Sequence, residues 1–389
     1  MAKKQMDENG MVIKKPFGAD TFLCIGIVGI VIAYCGSVMG LGNFINSLMN
    51  SGMWLVINLC LYLCGLGGIM GAFVAVLSEF GFIALLNKII APLMRPIYGL
   101  PGAASLGAVS TFFGDSPAIV ACAKDEKFIK YFKPYQRPLL CNLGMAYGMG
   151  MIVVTFFISF NIEGGLTGAF VGLFGAVVGS IISVRLMARS TKKYYHISRE
   201  ESKADHALTD DYIEEERRVS PSLFDRVLIT TLNGAKKGMT LGFDIMPAAL
   251  TIALIMLTLT WGPGEGGVYD GSACQGIALI PKLGEVFLPV TRLLFGFEHG
   301  SDVAFPLTSI ASVGSAMGIV PAMVAEGTIS ANDVAVFTAM GMCWSGYMSN
   351  CVGMMEALNE KQFIKPVIVT HTIGGLAAGI FAHIVMMVL

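Results

Sequence analysis

The amino-acid sequence predicts an all-α polytopic membrane protein, an inverted repeat with two re-entrant helical hairpins and about seven full transmembrane helices. Three observations lead to this prediction. Of the 389 residues, 54% are hydrophobic and 14% are charged, whereas soluble domains average about 25% charged residues. Two apolar segments, residues 98–124 and 286–325, are interrupted by polar residues, and a similar short motif stands at the start of each.

The first interrupted segment is apolar enough to enter a membrane, but it is broken at Phe113-Gly114-Asp115-Ser116-Pro117. Ser116 is a favourable N-cap and Pro117 suits the first turn of a helix, so the break predicts two half-helices that meet at a polar tip. The second half-helix would direct its positive end at this tip. Irregular backbone survives in a bilayer only where protein or a water-filled cavity surrounds it, and paired interrupted segments indicate a transporter's binding site.

The repeat is carried by the pattern P-x-x-R-x-x-[YF]-G, which occurs at Pro92–Gly99 and again 197 residues later at Pro289–Gly296. Three predicted spans separate the copies, so the two hairpins, near residues 101–124 and 298–325, should enter from opposite faces. After each hairpin comes a span with small and polar residues in its middle. Glycines there allow close helix packing, whereas the amides of Asn142 and Asn350 need hydrogen-bond partners if buried.

The chain divides into five parts: a cytoplasmic tail (1–20), a two-helix scaffold (21–78), a first repeat (79–186), a cytoplasmic charged loop (187–241) and a second repeat (242–389). The distribution of charge supports this layout. With the N-terminus in the cytoplasm and seven spans, all of the 26 Lys and Arg residues except Lys282 and Arg292 fall on the cytoplasmic side. This bias follows the positive-inside rule and puts the C-terminus outside.

The predicted order of elements is interfacial helix, hairpin, three spans, interfacial helix, hairpin and two spans. It resembles the Gate-domain or nucleoside recognition superfamily, which includes concentrative nucleoside transporters, the membrane part of ferrous-iron transport protein B and spore maturation membrane proteins. Ser110–Ala118 (STFFGDSPA) resembles the first hairpin tip of the nucleoside transporters, Asn-Val-Phe-x-Gly-Gln-Thr-Glu-Ala. Gly346–Gly353 (GYMSNCVG) is similar to their Ala-Asn-Phe-Ser-Ser-Ile-Gly.

The resemblance implies roles for single residues. Ser110 stands where those transporters have an asparagine near the coupling cation, and Asp115 and Ser116 stand where a glutamine and a threonine face the base. Ser349 or Asn350 would face the substrate. Pro117 replaces their glutamate, and the second tip lacks their Asn-Glu pair, so two carboxylates of the nucleoside-binding pattern are missing.

The candidate site residues also have simpler interpretations. Asp115 could be a helix cap, and the hydroxyl groups could bond back to helix carbonyls. His299 with Asp302 or Glu298 could relay protons or form a surface cap. The candidates for substrate binding are Asp115, Ser116, Asn142, Tyr147, Ser312, Ser315, Ser349 and Asn350; those for cation coupling are Ser110, Thr111, Phe113, His299 and Asp302.

These features predict a secondary active transporter that moves a small polar solute, with nucleosides or nucleobases suggested by the resemblance, together with Na⁺ or H⁺. Alternatives are a transporter of amino acids or small peptides, a non-transporting structural or signalling membrane protein, and a metal-ion permease. No enzyme motif is present, and we expect no catalytic residues, resident metal or cofactor. The expected partners are the solute, the lipid bilayer and further copies of the chain in a bacterial inner membrane, with no nucleic acid.

The charge distribution gives a test of topology. Single cysteines at Lys130 and Ala204 should be protected from an impermeant thiol reagent in intact cells, and a cysteine at Ser272 should be labelled. Labelling of position 204 from outside would rule out this layout.

Overall fold

The computed structural model describes residues 17–198 and 222–389, and every regular element in these ranges is a helix. This confirms the predicted all-α polytopic membrane fold. The helices of the first half are α1 (Ala19–Met39), α2 (Leu41–Glu79), α3 (Phe82–Leu93), α4 (Ala104–Phe113), α5 (Pro117–Lys124), α6 (Leu139–Met145), α7 (Gly150–Ser159) and α8 (Gly165–Tyr194). Those of the second half are α9 (Leu223–Thr260), α10 (Leu279–Phe295), α11 (Ala304–Ser309), α12 (Val313–Met317), α13 (Val320–Ala325), α14 (Ala331–Cys343), α15 (Tyr347–Ala357) and α16 (Ile364–Met386).

Five helical segments among the described residues are long and apolar enough to cross a membrane: Ala19–Met39, Leu41–Glu79, Pro134–Ser159, Gly165–Tyr194 and Lys361–Met386. The other two predicted spans are also helical. One is the second part of α9, and the other is divided into α14 and α15. That these two segments also cross the membrane remains a prediction.

Helix boundaries recur at the spacing of the sequence motif. α3 begins at Phe82 and α10 at Leu279, and α7 begins at Gly150 and α15 at Tyr347, so each pair is 197 residues apart. Both predicted hairpins consist of half-helices too short to span a bilayer, which needs about 20 residues. The first is α4 and α5; the second is α11, α12 and α13. The opposite orientation of the two repeats in the membrane remains a prediction.

Glycines set the contact between α2 and α9. Gly67 and Gly71 on α2 face Gly234 and Gly238 on α9. A Cβ atom on Gly67 would lie 2.6 Å from the carbonyl oxygen of Gly238, and one on Gly238 would overlap the Gly67 carbonyl. Small residues at intervals of four allow two helix backbones to approach this closely in a membrane, where packing replaces the hydrophobic effect as the driving force.

A second set of close contacts centres on α8, which packs against α14 and α16. Gly168 and Gly172 meet backbone carbonyls of α14, and Gly179 meets that of Gly374 on α16. The ring of Phe337 on α14 stacks on Phe305 of the second hairpin at a centroid distance of 4.5 Å. The second hairpin is therefore packed against a closely packed central group of helices.

The charged segment predicted for residues 187–241 contains helix at both ends. α8 continues to Tyr194, and α9 begins at Leu223 behind Ser222, whose side chain accepts a hydrogen bond from the Asp225 amide. Arg226 then forms a 2.8 Å ion pair with Glu79 at the end of α2. Both ends of the predicted charged segment are therefore helical, and its position in the cytoplasm remains a prediction. Residues 199–221, including the predicted acidic run 210–216, lie outside the described residues.

The loop after α9 is attached to the first part of α2. Asparagine and serine side chains on one face of α2 bond to backbone groups of this loop. The pairs are Asn43 with Tyr269 (2.8 Å), Ser47 with Gln275 (2.9 Å), Asn50 with Gly271 (2.8 Å) and Ser51 with Cys274 (2.8 Å). The polar face of this otherwise apolar helix thus provides hydrogen-bond partners for backbone groups of an irregular segment.

We expect Gly67→Leu to lower the unfolding temperature in detergent, because the new side chain would separate α2 from α9. Overpacking of this kind costs about 1–3 kcal/mol. Gly65→Leu is the matched control, since Gly65 is on the same helix, is exposed and has no atom within 4 Å of an added Cβ. Equal melting temperatures for the two variants would contradict the α2–α9 contact.

Candidate functional site

The tip of the first hairpin consists of Gly114, Asp115 and Ser116, between α4 and α5. The half-buried Asp115 accepts a 2.6 Å hydrogen bond from the Ser116 amide through Oδ1, and its carbonyl accepts one from Ala118. Ser116 has helical backbone angles and makes no side-chain cap. Ser116 thus stands at the predicted N-cap position, but its side chain makes no capping hydrogen bond. The Asp115 carboxylate accepts the Ser116 amide instead, which leaves the Ser116 hydroxyl available for another partner.

That partner belongs to the second repeat. The Oγ atoms of Ser116 and Ser345 are 3.2 Å apart and share a buried hydrogen bond. Ser345 lies in an irregular turn, Trp344–Gly346, that separates α14 from α15. Gly148, in the corresponding turn between α6 and α7, packs against both hydroxyls so closely that a Cβ atom there would overlap them. The first hairpin tip thus meets the breaks in both spans.

The second hairpin tip reaches the same place. The amide of Gly346 donates a 3.4 Å hydrogen bond to the carbonyl of Ser309, the last residue of α11. Gly346 has φ +73°, a left-handed conformation that favours glycine. An added Cβ atom would lie 3.2 Å from the Ala311 carbonyl and 3.7 Å from Asn350 Nδ2. We call this meeting point of Ser116, Gly148, Ser309, Ser345 and Gly346 the junction.

Several predicted site hydroxyls are used by their own helices. The buried Thr111 donates to the carbonyls of Gly107 (3.0 Å) and Ala108 (2.9 Å). Ser312 caps α12 by accepting a hydrogen bond from the Ser315 amide at 3.4 Å. These contacts stabilise local backbone, and they give Thr111 and Ser312 a structural role whether or not either also contacts a ligand.

Three other predicted residues lie near the tips. Ser110 is half-buried and its carbonyl accepts the Gly114 amide at 2.9 Å. Ser315 is fully buried in α12. Asn350 is half-buried in the first turn of α15 and approaches Gly346. Position 349 is helical, but its side chain lies outside the described residues.

Asn142 is fully buried between helices. Its Nδ2 donates to Ser183 Oγ (2.5 Å) on α8 and to Thr370 Oγ1 (3.0 Å) on α16. Its Oδ1 atom is buried and has no hydrogen-bond partner among the described residues. The structure therefore places Asn142 in a contact between helices, whereas Asn350, the other predicted amide, lies at the junction.

The predicted relay residues are at the base of the second hairpin. Asp302 is fully buried, and its Oδ2 accepts a 2.9 Å hydrogen bond from the His299 amide. The side chains of Glu298 and His299 are exposed. Asp302 therefore caps this turn through Oδ2, while its Oδ1 is buried without a hydrogen-bond partner among the described residues. A proton relay through His299 and Asp302 remains a prediction.

Two apolar crevices of about 310 and 440 Å³ flank the hairpins on the side of α3 and α10. Phe113 and Tyr147 line the first, where the hydroxyls of Tyr147 and Tyr98 are 2.7 Å apart. The crevices correspond to each other, because eight pairs of lining residues are 197 positions apart: Leu86 and Leu283, Ile90 and Phe287, Leu93 and Val290, Met94 and Thr291, Tyr98 and Phe295, Val109 and Pro306, Phe113 and Ile310, and Tyr147 and Trp344. Their apolar lining distinguishes them from the junction.

The sequence did not predict the breaks in the two spans, nor Ser345 as a contact of the first hairpin. A signal was present, since Ser345-Gly346 is a dipeptide typical of turns. It was interpreted as packing because the surrounding residues are apolar. The left-handed residue Met149, with φ +53°, had no such signal.

No protein-family model and no curated protein sequence matches the chain. Among solved structures, its fold is that of a concentrative nucleoside transporter. The structure of CNTnw in an inward-facing substrate-bound state has a TM-score of 0.53 and 16% identity, covering 94% of this chain and 86% of that chain. A doubly substituted variant of CNTnw in an outward-facing state matches with a TM-score of 0.53 and 16% identity, over 96% of this chain and 88% of that chain. At this identity the likeness shows the fold alone.

The contact between the first tip and the second break can be tested by cross-linking. With the nine native cysteines replaced, Ser116→Cys together with Ser345→Cys should form a disulfide on mild oxidation, because their Oγ atoms are 3.2 Å apart. Cleavage at a protease site engineered within residues 199–221 would leave two fragments joined until a reductant is added. The single variants are controls, and separate fragments from the double variant under oxidation would contradict the junction.

Proposed function

We propose that this protein is a secondary active transporter that carries a small polar solute together with a cation by alternating access. The junction is the observation that carries the proposal. Two hairpin tips and two broken spans bring helix ends and hydroxyl groups together inside a polytopic membrane protein. Discontinuous helices that meet in this way bind solutes and ions in transporters.

The fold supports alternating access in particular, since structures of CNTnw, which has a similar fold, are described in inward-facing, intermediate and outward-facing states. Nucleosides and nucleobases are the first candidate solutes. Asp115, Ser116 and Asn350 would contact the solute at the junction. The carbonyl of Ser110 and nearby hydroxyls would contact Na⁺, whereas coupling to H⁺ would use His299 with Asp302 or Glu298. The transporter would act as a homo-oligomer in a bacterial inner membrane with a cytoplasmic N-terminus.

Purified protein in proteoliposomes should accumulate labelled nucleosides or nucleobases when an inward Na⁺ or H⁺ gradient is imposed, and lose this uptake when the gradient is collapsed. Amino acids, dipeptides and divalent metal ions form the comparison panel. Uptake of one of these compounds instead would identify a different solute. Absence of uptake of every compound would favour a structural or signalling protein.

Asp115→Asn should reduce uptake at least tenfold, a change that needs only about 1.4 kcal/mol of lost interaction. Asparagine preserves the shape of the tip and can cap a helix as well as aspartate, so expression and thermal stability should stay near wild type. Asp115→Glu should be intermediate. Asp244→Asn, on the exposed surface of α9, is the matched control. Near-normal uptake by Asp115→Asn would show that its carboxylate acts only as a cap.

A further inference from the structure

The second break, Trp344–Gly346, is attached on both sides to one turn of α16. On the first side, His371 Nε2 lies 2.5 Å from the carbonyl oxygen of Cys343, the last residue of α14. On the other side, the hydroxyl of Tyr347, the first residue of α15, is 2.9 Å from Thr372 Oγ1. The terminal carbonyls of a helix lack partners within it, so His371 supplies a donor where the break leaves an acceptor.

This contact fixes the protonation of one ring nitrogen. A carbonyl oxygen only accepts, so Nε2 of His371 must carry hydrogen. The other nitrogen, Nδ1, is 3.2 Å from Ser183 Oγ. A neutral ring accepts there, and Ser183 must then donate its hydroxyl hydrogen to His371.

The orientation of Asn142 agrees with this assignment. Once Ser183 donates to His371, its oxygen is free to accept the 2.5 Å hydrogen bond from Asn142 Nδ2. The second hydrogen of Asn142 goes to Thr370 Oγ1, which donates in turn to the carbonyl of Pro366 at 2.9 Å. A continuous, directed series of buried hydrogen bonds thus runs from α6 through α8 and α16 to the end of α14.

We propose that His371, as the neutral Nε2–H tautomer, is a positioning residue that holds the second break against the hairpin tips. Ser345 and Gly346 follow closely after Cys343, and they are the residues that contact Ser116 and Ser309. Losing the donor at Nε2 would free the Cys343 carbonyl and allow the turn to move away from both tips. The series also joins the broken span of the first repeat, through Asn142, to that of the second.

The position has no equivalent in the first repeat. The residue 197 positions before His371 is Phe174, whose side chain is 64% exposed. The first break is held differently, by the contact between the Tyr147 and Tyr98 hydroxyls. The role of His371 therefore comes from a contact specific to the second half of the chain.

The test uses the rate of disulfide formation between cysteines at positions 116 and 345 in the full chain. His371→Phe should slow disulfide formation at least about fivefold. A change of this size needs only a small fraction of the free energy that stabilises a folded protein. His371→Gln should restore the rate, because its amide nitrogen can reach the Nε2 position. His371→Asn, which replaces only Nδ1, should not. His383→Phe is the matched control, since His383 is on the same helix and bonds to Asn332 instead.

An unchanged rate in His371→Phe, or equal rates in His371→Gln and His371→Asn, would overturn the proposal. If His371→Phe does not fold, ¹⁵N-histidine NMR of the wild type decides: the neutral Nε2–H form is expected, and the Nδ1–H form or the imidazolium would refute it. The importance of the junction rests on the proposed transport function, but neither readout requires uptake. Failure of this proposal and failure of the transport proposal are therefore distinguishable.

Discussion

Every break in a membrane-embedded helix leaves backbone groups that lipid cannot satisfy, and this constraint explains much of the architecture. The Ser116 amide is taken by Asp115, the Ser309 carbonyl by the Gly346 amide, and the Cys343 carbonyl by His371. The Gly346–Ser309 and Ser116–Ser345 hydrogen bonds join one break to another, so the breaks stabilise each other, while the unbroken helix α16 supplies the donor His371. A single interruption would leave backbone groups unpaired at a cost in free energy. The two hairpin tips and the two span breaks converge and form a protected polar region instead.

Close packing is what brings these breaks together. The glycines of α8 allow α14 and α16 to approach within van der Waals distance, and this places Ser183, Thr370 and His371 within reach of each other. The glycines of α2 and α9 do the same for the helices outside the hairpins. In a bilayer, where apolar side chains gain little by leaving lipid, such backbone contacts are the main source of specificity.

The fold and the hairpin breaks could be predicted because their signals are local. Proline, glycine and aspartate interrupt an apolar run at residues 113–117, and the charge bias orders the spans. The partners of buried polar groups could not be predicted in this way. Ser183 and Thr370 lie 41 and 228 residues from Asn142, and Ser345 lies 229 residues from Ser116. Such pairs depend on helix packing, which a short motif does not specify, so the sequence put forward Asn142 as a solute contact without indicating its partners on other helices.

The constant spacing between the two crevices has an evolutionary consequence. If the halves descend from one duplicated ancestor, no net insertion or deletion separates them between α3 or α10 and the residue at each break, from Leu86 to Tyr147 and from Leu283 to Trp344. Length has been retained there although most paired side chains have changed. Natural variation should therefore tolerate substitutions in these stretches more readily than changes in their length, because an added residue would rotate one hairpin relative to its counterpart.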